Sequence, residues 1–215
     1  HTRYISVTGV QTCALPILPT PTIKNGANHF AATLYTGNGG TTNVVNTVNG
    51  VGFQPDWLWI KCRSNSSNHE EVDSVRGSGN TLYPNLTNSE GATNYTTLNS
   101  NGFSLVSTNA GNVNANGYTY VGWQWKAGGT PVSNNSGTIT SSVSVNQDAG
   151  FSIVTYTGTG SNATVGHGLL VAPKMVIYKK RNGAYDGCVY HNSIGAAQRL
   201  ILFATDGTYG QATDS

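Results

Sequence analysis

The stretch GVGFQPDWLWIKCRS, residues 50–64, returns in looser form as GLLVAPKMVIYKKRN, residues 168–182. Pro55 answers Pro173, Lys61 answers Lys179 and Arg63 answers Arg181. Between them, Trp57-Leu58-Trp59-Ile60 answers Met175-Val176-Ile177-Tyr178. A proline, a short apolar run and a basic exit describe a buried strand entered through a turn. The first run is apolar on both faces, which places it centrally in a sheet. A second pair lies upstream: HFAATLYTGNG at 29–39 and GFSIVTYTGTG at 150–160. The spacing is 118 residues for one pair and 121 for the other, so the chain reads as a tandem repeat.

The composition agrees with strands. Only 9% of the 215 residues are charged, against about 25% in an ordinary domain. Gly, Asn, Thr and Ser carry the polarity, good helix formers are scarce, and Thr, Val, Tyr and Trp are frequent. That mixture predicts an all-β chain of short strands and Gly/Asn turns. The net charge of +2 leaves no electrostatic footprint for nucleic acid. No apolar run approaches the ~20 residues that span a bilayer. Cys13, Cys62 and Cys188 have no metal-ligand spacing and read as reduced thiols. No cofactor and no metal site is expected.

Taken in order, the chain divides into five parts. VTGVQTCALPI, residues 7–17, resembles the conceptual translation of a short-read sequencing adapter, so residues 1–17 are set aside as an artefact. Residues 18–28 carry LPTPT and then a turn at Asn25-Gly26, an extended linker. Residues 29–129 form a first β module, closed by FSLVS at 103–107 and YTYVGWQWKAGG at 118–129, each opened by Asn-Gly. Residues 130–147 connect the copies through an alternating strand, GTITSSVSVN. Residues 148–215 form a second module with strands at CVYH and RLILFA but no partner for the two closing strands of the first. The expected architecture is two tandem β-sandwich or jelly-roll-like modules, the second truncated, with an unpaired edge and an open core.

Five motifs in a fixed order carry a resemblance: LPTPTIKNGANHFAATLYTGNG, GVGFQPDWLWIKCRS, EVDSVRG, GYTYVGWQWKAGG and AGFSIVTYTGTGSNATVGHGLLVAPKMVIYKKR. From residue 18 to 215 the chain resembles tandem domains of unknown function in structural proteins of tailed bacteriophages. Those domains are common in aquatic metagenomes and often follow a SPRY-like domain. The resemblance implies a virion component of the tail or tail fibre, made in the host bacterial cytoplasm. Its implied partners are other virion proteins and a host surface glycan or protein receptor, with a homo-oligomer as the assembled form. It implies no catalytic residue.

The residues themselves offer few sites. Trp57, Trp59, Trp123 and Trp125 suit a sugar platform, but large aromatics also dominate sandwich cores, and the core is the expectation. The opposite face of the closing strand carries Tyr118, Tyr120, Gln124 and Lys126, the expected exposed ligand-binding surface. Tyr185, Tyr190 and His191 are weaker candidates. His69, Glu70, Glu71 and Asp73 form the one dense acidic cluster; it reads as a surface strand with Asp73 paired to Arg76 rather than as a Ca²⁺ loop. The remaining carboxylates are scattered, and Asp56 becomes Lys174 in the second copy. There is no Gly-x-Ser-x-Gly elbow and no His-Glu-x-x-His. The expected function is therefore a non-enzymatic virion structural or adhesion module. A carbohydrate-binding module of a bacterial surface or secreted protein is the alternative. A polysaccharide hydrolase, which needs two facing carboxylates, comes third.

Overall fold

The computed structural model describes residues 23–40, 43–45, 52–105, 111–205 and 207–210. The adapter-like residues 7–17, Cys13, the prolines at 19 and 21 and the end of FSLVS lie outside them. Asn25-Gly26 opens a single 3-10 turn, Gly26–Asn28, and the Asn25 side chain accepts a hydrogen bond from Ala27 N at 3.1 Å. No helix among the described residues is long and apolar enough to cross a membrane.

The chain is all-β. The first copy supplies β1 (Phe30–Thr36), β2 (Asn43–Val45), β3 (Trp57–Cys62), β4 (Glu70–Asp73), β5 (Asn80–Thr81), β6 (Gly91–Ala92), β7 (Thr96–Asn99), β8 (Gly102–Leu105) and β9 (Thr119–Trp125). One antiparallel sheet has the order β1-β9-β3-β4, and a second has the order β2-β8-β7. β3 is thus internal, as its two apolar faces require. The core lies between these sheets. Leu58, Ile60, Cys62, Val72 and Tyr120 meet Val45, Phe103, Leu105 and Val113, with Tyr35, Tyr95 and Leu98 packed against them. Strand alternation decides who enters it. Even-numbered residues of β3 and β9 point inward and odd-numbered ones point outward, because Leu58 lies beside Gln124 and Ile60 beside Gly122. Gly122 is required there: a Cβ would stand 3.1 Å from the Phe103 ring and 3.4 Å from Leu58 Cδ1.

The connector forms β10 (Val132–Asn134) and β11 (Ser141–Asn146). β11 pairs on its other side with β12 (Phe151–Tyr156), the counterpart of β1, giving a sheet β10-β11-β12. The rest of the second copy is the sheet β13 (Met175–Tyr178), β14 (Cys188–His191), β15 (Gln198–Ile201) and β16 (Tyr209–Gly210), in that order.

The repeat extends beyond its motifs to the strand register. Trp57 pairs with Asp73, and 118 residues on Met175 pairs with His191; Ile60 pairs with Glu70 as Tyr178 does with Cys188. Ser74 N donates to Asp56 O at 2.8 Å, and Asn192 N donates to Lys174 O at 2.8 Å. Gly77 and Gly195 close the matched turns with φ of +88° and +79°, a backbone that a side chain would strain. Lys61 Nζ donates to Ser67 O at 2.7 Å, and Lys179 Nζ donates to Tyr185 O at 2.7 Å.

Matched positions are not matched in burial. Leu58 is 0% exposed and its counterpart Val176 is 38% exposed; Ile60 is 2% exposed and Tyr178 is 36%. Full burial of one such side chain stabilises by about 1.5–3 kcal/mol. Among the described residues the first copy therefore holds most of the apolar stabilisation, and β13 is the terminal strand of its sheet.

Candidate functional site

The outer face of the first sheet is aromatic. Register places Phe30, Trp125 and Trp57 in one row and Ala32, Trp123 and Trp59 in the next. Trp57 stacks on Trp125 at 4.3 Å between ring centroids, and Phe30 tilts against Trp125 at 5.0 Å. The four tryptophans are only half-buried, which corrects their expected place in the core. They sit outside because the aliphatic residues of β3 and the glycine of β9 share the other parity, where two sheets must close. The second copy covers part of this face. Phe151 of β12 stacks over Trp57 at 6.0 Å, and Phe203 packs edge-on to Trp59 at 5.9 Å and against His69 at 4.4 Å.

The expected ligand surface divides accordingly. Tyr120 and Gln124 are 0% exposed and point into the core, so they are corrected from a contact surface to core residues. Their partners are internal. Tyr120 Oη donates to Gly111 O at 3.1 Å and accepts from Ala115 N at 2.8 Å; Gln124 Nε2 donates to Thr33 Oγ1 at 2.8 Å. Tyr118 and Lys126, at the two ends of the strand, are exposed.

Lys126 lines an open groove of about 910 Å³. It is lined by His29 and the exit of β9, by Asn146, Gln147 and Asp148 of the β11–β12 hairpin, and by Phe53. The lining is pinned rather than floppy. Asn146 Nδ2 lies 3.0 Å from His29 Nδ1 and donates to Lys126 O at 3.2 Å. Gly128 N donates to Ser144 Oγ at 2.9 Å, and buried Asp56 accepts from Ala127 N at 2.7 Å. Gln147 and Asp148 stay exposed at the rim. An open groove with amides, an ammonium, an imidazole and a carboxylate offers donors and acceptors to a hydroxylated ligand. Sequence reading missed Asn146, Gln147 and Asp148 because they fell at the boundary between the connector and the second module; only pairing β11 to β12 makes them a hairpin turn beside His29.

The carboxylates of the acidic cluster are buried and only partly satisfied, Glu70 Oε2 having no hydrogen-bond partner. Arg76 Nε pairs with Asp73, and Arg76 Nη1 donates to Glu90 Oε2 at 2.8 Å, the arginine and aspartate side chains being 4% and 6% exposed. Asp73 does pair with Arg76, but inside the protein rather than on its surface. Arg181 closes the network from the second copy, donating from Nη2 to Glu90 Oε1 at 2.7 Å. Burial works to raise the Glu90 carboxyl, and hydrogen bonds from Arg181 and Arg76 outweigh it and hold it low. Glu71, whose Oε1 has no hydrogen-bond partner, is pushed by burial up to about 8. Burial also raises Glu70, against a hydrogen bond from Asn112. Glu70 and Glu71 are consecutive in a strand and face opposite sides, so they do not flank a common bond. No cluster of three or more His, Cys, Asp or Glu among the described residues is arranged to hold a metal ion.

Tyr185, Tyr190 and His191 do not converge on the groove. Tyr185 N donates to Thr87 O at 2.8 Å, in the seam between the copies, and Tyr190 and His191 lie in β14. Cys62 and Cys188 are free and buried.

No curated protein and no solved structure matches the chain. One family model matches, over residues 25–215, and so spans both copies of the repeat and every element described above. The chain belongs to that family, described as Domain of unknown function (DUF7483).

Proposed function

We propose that the chain is a non-enzymatic structural and adhesion module of a bacteriophage virion, in the tail or tail fibre, that engages a host-surface glycan in the groove at the end of β9. The groove carries the reading: Lys126, His29, Asn146, Gln147 and Asp148 line one open polar surface on a pinned backbone. Sugar hydroxyls match such amide and carboxylate rims, and an open, wet site gives weak single contacts that arrayed copies multiply. The virion setting is supported by the five ordered motifs and their resemblance to phage structural domains.

The test is a glycan array probed with the whole chain displayed as a multimer. A defined set of hits is expected. Lys126→Ala and Gln147→Ala, both at exposed positions, should each weaken the hits at least several-fold without lowering the melting temperature. A blank array from folded protein overturns the glycan reading and leaves a spacer. A carbohydrate-binding module of a bacterial protein would use the same groove, but a monomer would then bind one sugar saturably.

A further inference from the structure

We propose that Asn146 fixes the tautomer of His29 and so makes this imidazole a hydrogen-bond donor, through Nε2–H, to an acceptor atom of the ligand in the groove. The inference rests on the glycan reading of that groove and adds the polarity of one contact.

A side-chain amide has a donor end and an acceptor end, and its partners decide which lies where. At Asn146 they leave one choice. Oδ1 accepts from Ala149 N at 3.0 Å, inside the β11–β12 turn. Nδ2 donates to Lys126 O at 3.2 Å. Turning the amide over would set oxygen against the Lys126 carbonyl and nitrogen against the Ala149 N–H, two repulsions in place of two bonds. The same Nδ2 lies 3.0 Å from His29 Nδ1. A donor there requires a lone pair on Nδ1, so the neutral ring carries its proton on Nε2. The backbone of His29 is held as well: its N donates to Gly26 O at 3.0 Å, and its O accepts from Lys126 N at 2.9 Å.

With Nδ1 taken by Asn146, Nε2–H is the polar group the ring has left. Asn28, His29 and Asp148 line both the groove and a smaller adjoining cavity of about 350 Å³, so a ligand spanning the two passes the imidazole. A donor at that point selects an oxygen with a free lone pair: a ring or glycosidic oxygen, a carbonyl or a carboxylate. Asp148, which only accepts when ionised, selects the reverse, a hydroxyl.

The tautomer is read first, from the imidazole nitrogen-15 shifts of the whole chain at about pH 8, where an ordinary imidazole is neutral. The His29 signals are identified by their loss in His29→Gln. A bare Nδ1 and a protonated Nε2 are expected. Asn146→Asp keeps an oxygen for Ala149 N and sets an acceptor before Nδ1, so Nδ1 should become protonated. Binding is read second, on the glycan array. His29→Asn, whose amide reaches only the Nδ1 position, should weaken the hits about tenfold. His29→Gln, whose amide nitrogen reaches the Nε2 position, should recover about threefold of that loss. A proton on Nδ1 of the native protein, or one shared between both nitrogens, overturns the proposal. So does an Nδ1 that stays bare in Asn146→Asp. Equal loss in the two His29 variants overturns the donor step. A blank array beside the expected tautomer overturns the glycan reading and the donor step together, and leaves Asn146 as the group that sets the ring. If Asn146→Asp does not fold, the native tautomer and the two His29 variants decide.

Discussion

A single carboxyl, Glu71, gives this protein an unusual pH response. Its folded value of about 8 lies above the ordinary carboxylate range because burial disfavours the anion. With the folded value raised, the protonated form stabilises the native state at acid pH, and that contribution is lost as pH rises toward 8 and the unfolded chain ionises first. His69, held by burial down to about 4, works the other way below about pH 6.5, so the melting temperature should fall mainly between about pH 6.5 and pH 8. Glu71→Gln, which keeps the shape and cannot ionise, should flatten that fall; a scan of both proteins against pH decides it. Arg76 works oppositely, as a charge buried with partners. Arg76→Ala removes the cation beside buried Asp73, leaves Glu90 to Arg181 alone, and should cost about 3–5 kcal/mol in urea unfolding. Position 76 was legible in the sequence as the partner of Asp73. Its burial was not, since nothing local says that Arg181, more than a hundred residues away, closes the same network.

At the scale of the element, β9 explains both the success and the failure of sequence reading. Its alternation, its Asn-Gly entry and its place as a closing strand were legible. Which of its faces turns inward was not, because Tyr120 and Gln124 look more soluble than two tryptophans. Tyr120 Oη is satisfied by Gly111 and Ala115 and Gln124 Nε2 by Thr33, partners visible only after folding, while Gln124 Oε1 is buried with no hydrogen-bond partner. Gly122 carried the one available signal, since a strand's smallest residue marks the face another layer approaches. Gly122→Val should overpack Phe103 and Leu58 and cost about 1–3 kcal/mol, measured by chemical denaturation. A cost below about 0.3 kcal/mol would mean the two sheets can separate without penalty. The short strands β2, β5, β6, β10 and β16 went unread because two or three residues show no period.

Over the whole molecule, the two copies share a register and differ in burial, so they should differ in stability. Amides of β3 are expected to exchange far more slowly than those at matched positions of β13, a comparison in which local sequence geometry is nearly held constant. The buried thiols offer a second view. In rising urea, Cys188 should react with a thiol reagent at a lower concentration than Cys62; simultaneous labelling would show that the copies unfold as one. The 118-residue echo was readable in the sequence, and the pairing of β3 with β4 and of β13 with β14 repeats it. The seam was not: Glu90 N to Arg181 O at 2.8 Å and Lys179 Nζ to Leu86 O at 2.6 Å join a first-copy loop to the second copy.

The stacked outer face has an optical consequence. All four tryptophans occupy one patch, with the Trp57 and Trp125 rings 4.3 Å apart at 28°. Transition dipoles that close share their excitation, so the near-ultraviolet circular dichroism should carry a split couplet that Trp57→Phe erases. Phe151 and Phe203 roof that patch from the second copy. Any event that lifts one copy from the other should wet the indoles and shift their emission to the red. The chain thus carries a built-in spectroscopic gauge of how firmly its two halves are docked, with no dye attached.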